Sequence, residues 1–294
     1  MKRSHGLLYA LIALMVSLWS ANYIVAKLAL REFPPLLLVG LRPVLASAFI
    51  LPVYLWEGRT KPDRWTRADL PGLLILGLLG VALNQFFFVV GLSLTSVAHA
   101  AIIIGMGPLM VLAIASATGL ERLTVRRAAG MLLALAGVGV LKALEPAPAG
   151  RGPSLLGDLF MFLAGLTFAL FTVFGKRVTT RHTSVTVNTF AYVGAALAYL
   201  PLTLWQARDF SFSSVSSGAW VSLVYMALFP SVLCYLIFYY ALSRIPASRV
   251  SAFSYVQPLL VTLLGVAVLG EHITASLVVG GTVIFSGVWM TERG

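Results

Sequence analysis

Apolar residues fall in ten blocks along the chain, at about 7–30, 34–55, 70–92, 96–118, 125–144, 155–177, 184–206, 218–242, 247–269 and 274–291. Most blocks are bounded by charges or by Gly and Pro, the residues that punctuate helices. Each is near the ~20 apolar residues that a helix needs to cross a hydrocarbon core of ~30 Å. The pattern therefore predicts an all-α integral membrane protein with ten transmembrane helices. The tightest junction is Arg31-Glu-Phe-Pro-Pro35, where Pro34 and Pro35 cannot continue a helix interior.

The blocks repeat. A shift of 150 residues lays Pro108, Leu109, Val111, Ala117, Glu121, Thr124, Gly130, Gly137 and Val138 onto Pro258, Leu259, Val261, Ala267, Glu271, Thr274, Gly280, Gly287 and Val288. Pro, Glu, Thr and two Gly in register are more than shared apolar composition gives. The expected organisation is a first five-helix repeat over 1–145, a Pro/Gly-rich linker over 146–153, and a second repeat over 154–294. Because five is odd, the second repeat enters the membrane from the opposite side, so the two are expected to be inverted. Inverted repeats are common among secondary transporters, which bind substrate between the halves.

Composition sharpens this picture. Hydrophobic residues make up 59% of the chain and charged ones 11%, far from the balance of a soluble domain. The net charge of +11 does not point to nucleic acid, because the cations lie in short connections between apolar blocks. Counted by connection with the N-terminus inside, fifteen Lys and Arg fall on the cytoplasmic side and five outside, with Arg42 inside a helix. That asymmetry places both termini in the cytoplasm of a bacterial-type inner membrane. Block 7–30 is too long for a signal-peptide core, and its repeat counterpart lies in mid-chain. The single Cys234 and the lack of Cys/His clusters predict neither disulfide nor metal, and no cofactor motif occurs. Oligomeric state is open, and a monomer is compatible with the pattern.

Polar residues inside the blocks are the candidates for function, since such groups avoid lipid. Helix one carries Trp19, Asn22, Tyr23 and Lys27 on one face. Lys27 and its counterpart Lys176 either snorkel to the interface or face a wet interior. Helix three carries Asn84 and Gln85, suited to interhelical bonding or to substrate. Helix eight shows Ser231, Tyr235 and Tyr239 at every fourth position, and helix nine shows Ser248, Ser251 and Tyr255, with Ser254 and Gln257 adjacent. His99 is a titratable candidate near the start of helix four, and Arg42 lacks any acid in its own helix. Glu121 and Glu271 stand at turns closing helices four and nine, where Thr124 and Thr274 are placed to cap the next helix. Pro108 and Pro258 are matched candidate hinges. Gly130 with Ala134, and Ser276 with Gly280, form small-residue pairs suited to close helix contact.

The motif Trp19-x-x-Asn22-Tyr23-x-x-x-Lys27, Arg42, and the blocks Pro108…Glu121-Arg-Leu-Thr124 and Pro258…Glu271-His-Ile-Thr274 resemble the ten-helix EamA group of the drug/metabolite transporter superfamily. The resemblance spans nearly the whole chain. It implies an exporter or exchanger, often of amino acids or related metabolites, with a central cavity lined mainly by helices one, three, four, six, eight and nine. Phe168 and His272 depart from the usual Trp and Arg. None of the ten acidic residues lies at a helix centre, so a site for a cationic drug or polyamine is not expected. Arg42, Lys27 and His99 suit a small carboxylate or zwitterion, such as a neutral or aromatic amino acid. An intramembrane enzyme would need a metal motif, carboxylate pair or activated nucleophile, none of which is present as a sequence signature. A multidrug carrier and a passive channel remain the alternatives, and the expected partners are the substrate and the bilayer.

Overall fold

The computed structural model describes residues 2–60, 63, 65–95, 100, 103–143, 154–269 and 275–294. The principal helices are α1 (Lys2–Ala29), α2 (Pro35–Thr60), α3 (Leu70–Leu94), α4 (Gly107–Ala117), α5 (Val125–Ala143), α6 (Leu155–Val178), α7 (Ser184–Ala207), α8 (Ser217–Arg244), α9 and α10 (Ala275–Glu292). The ninth runs as Ala247–Ala252, a 3-10 turn Phe253–Tyr255, and Val256–Leu269. Among the described residues there is no strand. Six helices, α1, α2, α3, α6, α7 and α8, are long and apolar enough to cross a membrane, while the apolar parts of α4 and α10 are shorter. His99, Glu271 and Thr274 lie outside the described residues, as does the side chain of Pro258.

Helix starts follow from hydroxyl caps. Ser154, Thr183 and Ser216 accept from the backbone N–H groups of Gly157, Thr186 and Ala219, opening α6, α7 and α8. Thr124 accepts from the N–H of Arg127 at 3.2 Å and opens α5, satisfying donors that have no intrahelical partner. The α4–α5 turn needs Gly119, whose φ of +70° would clash for a residue with a Cβ.

Two helices carry a π-helical segment at matching positions, Leu78–Leu83 in α3 and Ala227–Leu233 in α8. A π turn widens the helix and leaves carbonyls open to outside donors. Tyr235 Oη donates to Gly80 O at 2.6 Å, and Trp19 Nε1 donates to Pro230 O at 3.2 Å. Gly80 and Pro230 are themselves 150 residues apart. Tyr199 Oη and Asn188 Nδ2 likewise donate to Ala82 O and Val232 O.

Helices α5 and α10 pack backbone to backbone. A Cβ on Gly287 would stand 2.4 Å from Ala134 N and 2.5 Å from Gly130 O, and one on Gly137 2.8 Å from Ile284 N. Helices α1, α2, α3, α4, α6, α8 and α9 gather around a central cavity.

Connections are tied across the chain. Glu32 accepts from the amide and hydroxyl of Ser216, each at 2.6 Å, and these bonds hold its carboxyl below the usual carboxylate range. Asp69 is lowered mainly by its bonds from Thr66, with His182 adding to the effect. His182 sits with Nδ1 3.2 Å from Asp63 and Nε2 3.6 Å from Asp69.

Candidate functional site: a central cavity

The central cavity has a volume of about 110 Å³. From α1 it takes Trp19, Asn22 and Tyr23, from α2 Arg42, and from α3 Asn84, Gln85 and Phe88. The α4 side supplies Ile104, Gly107, Pro108 and Val111, and α6 supplies Gly165 and Phe168. Tyr235 of α8 and Ser251, Ser254 and Gln257 of α9 complete the described wall.

An aromatic assembly fixes one end. Trp19 meets Phe168 and Tyr235 edge to face, with centroids 5.9 Å apart in both cases, and Phe238 at 5.8 Å. Such pairs are favourable beyond the area they bury. Because Trp19 also donates to the α8 π turn and Tyr235 to the α3 π turn, both rings are held by the backbone of another helix. Tyr23 stacks edge-on against Phe88 at 5.3 Å.

The polar part is centred on Arg42. Its guanidinium is buried, and Nε donates to Ser231 Oγ at 2.8 Å; Ser231 in turn donates to Met226 O. The residue Arg42 meets is therefore a hydroxyl inside the α8 π turn, and no Asp or Glu is among the described residues of the cavity wall. A buried cation without a carboxylate is costly unless an anion or dipoles offset it. Gln85 Nε2 donates to Tyr192 Oη at 3.0 Å, and Asn84 Nδ2 to Ala164 O at 2.9 Å. Two amide oxygens, Asn22 Oδ1 and Gln85 Oε1, are buried with no protein donor. The wall thus offers one cation, two open acceptors and an aromatic face.

Several expected residues lie elsewhere. Tyr239 and Tyr255 are fully buried and do not line this cavity; Tyr239 packs on Phe171 and Tyr235 with centroids 5.7 and 5.9 Å away. The ammonium of Lys27 donates to Leu92 O at 2.7 Å and Thr95 O at 3.4 Å, at the end of α3. Lys176 does the same at the end of α8, donating to Leu242 O and, at 2.8 Å, to Ile245 O. Positive charge is favourable at a helix C-terminus, so both lysines are engaged with backbone rather than aimed into the cavity. Glu121 accepts from the amide of Ser248 at 3.2 Å, from the Ser248 hydroxyl, and from Arg127 at 3.4 Å. It therefore serves the start of α9 as well as its own turn.

Pro108 lies in the first turn of α4, directly after the break at Gly105–Met106. The 3-10 turn of α9 likewise precedes Pro258. Proline has no N–H for the carbonyl four residues back, and those residues, Ile104 and Ser254, both line the cavity. Sequence reasoning missed Tyr192 and Asn188, although they stand four apart in an apolar block, the same signal that marked Tyr235. Among the described residues, no group of three or more His, Cys, Asp or Glu could hold a metal.

These features define a multi-pass helical membrane protein with a mainly apolar central cavity. The EamA-like transporter family pattern matches residues 5–142 and again 155–293, and the chain belongs to that family. It is 26% identical over 288 residues to an uncharacterised transporter of Archaeoglobus fulgidus, covering 96% of each chain. It is also 26% identical over 305 residues to a probable amino-acid metabolite efflux pump of Salmonella typhimurium, covering 100% of this chain and 96% of the other. A protein of known crystal structure superposes with a TM-score of 0.77 at 21% identity, over 98% of this chain and 97% of that one, which shows a shared fold.

Proposed function

We propose that this chain is a secondary exporter or exchanger of small carboxylate-bearing or zwitterionic metabolites, neutral and aromatic amino acids foremost. It works by alternating access between two inverted five-helix repeats, 1–145 and 154–294, with ten membrane-crossing helices and both termini cytoplasmic. The observation that carries the substrate class is Arg42, buried on the cavity wall beside Ser231 with no carboxylate among the described wall residues. A substrate carboxylate would supply the missing negative charge. Asn22 Oδ1 and Gln85 Oε1 are open acceptors for an ammonium, and Trp19, Tyr23, Phe88, Phe168 and Tyr235 form an apolar surface for a side chain. The wall would repel a polyamine or cationic drug. The family carries the transport reading, and the relative named as an efflux pump supports outward movement. Ser251 on the wall, Tyr239 packed behind Tyr235, and the buried Tyr255 complete the proposed binding region, with His99 as a further candidate outside the described residues. Nothing in this reading calls on catalysis, a metal or a cofactor.

Comparing metabolites inside cells that contain or lack the protein tests the substrate class. Neutral and aromatic amino acids should fall in its presence. Selective depletion of polyamines or lipophilic cations would overturn the reading.

A further inference from the structure

A second cavity, of about 180 Å³, lies along the same helices as the first. On α4 the central cavity reaches Val111, and the second begins one turn later at Ala115 and continues to Glu121. On α6 the first ends at Phe168 and the second takes Val173 and Lys176. On α9 the first descends to Ser251, and the second is lined by Ala247. Thus the two cavities stand in series between α4, α6, α8 and α9.

The repeat relation explains why this position matters. A shift of about 150 residues converts helices one, three and four into six, eight and nine. Inverted halves require that a mouth bounded by one, three, four and nine on one side has a counterpart bounded by six, eight, nine and four on the other. The second cavity is lined by those four helices. Lys176 binds the end of α8 there, as Lys27 binds the end of α3. Between this cavity and the start of α9 stands the Glu121 carboxylate, which accepts from both the amide and hydroxyl of Ser248. Those bonds join the first half to the second.

We propose that the second cavity is the cytoplasmic mouth of the substrate path, and that the Glu121–Ser248 contact is the clasp that keeps it closed. The proposal rests on the inverted-repeat carrier reading above. In the closed form the clasp ties the α4–α5 turn to α9, and the mouth opens when the two halves part at that point. Arg244, stacked on Tyr240 at 3.5 Å, stands at the rim of the mouth, where it attracts a carboxylate-bearing substrate.

The test uses the full chain with Cys234 replaced by Ser and one new thiol, Val173→Cys, on the wall of the second cavity. Its modification by a membrane-impermeant sulfonate-bearing thiol reagent is timed in inside-out and right-side-out vesicles. Labelling should proceed from the cytoplasmic face, and Ser248→Ala should speed it about tenfold, the population shift expected when a bond to a charged acceptor is lost from the closed state. If Ser248→Ala does not assemble, Glu121→Gln in the same background makes the same measurement. Equal rates with and without the clasp, or faster labelling from the outer face, would overturn the proposal. Labelling needs no transported substrate, so a failure to find saturable flux would sink the carrier reading without being mistaken for failure of the mouth.

Discussion

At the scale of single residues, what matters is which polar groups the fold leaves uncommitted. Asn84 and Tyr235 are committed to backbone carbonyls at 2.9 and 2.6 Å, whereas Asn22 Oδ1 and Gln85 Oε1 are not. Tyr235→Phe should therefore cost only about 1 kcal/mol, one hydrogen bond, and keep the aromatic wall. Tyr235→Ala would empty a buried ring site and lose roughly 3–5 kcal/mol, so thermal melting of both variants in detergent should separate the two costs. Arg42→Gln keeps a donor for Ser231 but removes the charge. Flux of a neutral amino acid should fall at least about tenfold while the folded yield holds, since a charge-assisted contact exceeds 1.4 kcal/mol; unchanged flux would remove Arg42 from recognition. Helical spacing picked out Trp19, Asn22, Tyr23 and Ser251, and amides within an apolar block picked out Asn84 and Gln85; all of these line the cavity. It could not separate Tyr235 from Tyr239, four residues on, because the same helical stripe extends past the end of the cavity. Nor could it foresee the Arg42–Ser231 contact, which depends on a π turn that no local sequence rule marks.

At the scale of helices, the boundaries of the described elements were legible because most apolar blocks end at a charge, a hydroxyl cap or a Gly turn. Local irregularities were less so. The breaks before Pro108 and Pro258 follow from proline, but the segment at Leu78–Leu83 contains none. The α5–α10 contact offers the sharpest test of packing. Gly287→Ala would place a Cβ 2.4 Å from backbone that cannot swing aside, which should destabilise by roughly 1–3 kcal/mol. Gly139→Ala, with nothing within 4 Å of the added carbon, is the control and should leave the melting temperature unchanged or slightly raised. Glu121→Ala should lower folded yield through the loss of the Ser248 and Arg127 contacts. A normal folded yield would show that these contacts do not support the fold and serve only to hold the mouth closed.

At the scale of the molecule, the duplication was visible at a shift of 150 residues, and the family pattern matches the chain twice. Inversion was inferred from an odd number of blocks and from charge, which are arguments about a bilayer and not about packing. Reporter fusions after Arg67, Arg127, Arg181 and Gly294 should register cytoplasm, and those after Arg151 and Arg208 the opposite side. A C-terminus on the outer side would contradict ten helices with both termini in the cytoplasm. The proposed substrate class rests on the absence of acidic residues from the helix centres, which argues against a carboxylate-lined cavity but does not order the groups around Arg42. In the proposed function, the cavity between the halves carries substrate by alternating access. Counterflow in proteoliposomes tests it most directly: vesicles loaded with unlabelled phenylalanine should accumulate trace labelled phenylalanine transiently, with a rate that saturates as outside concentration rises. A rate that rises linearly without saturation, and no transient accumulation, would contradict it.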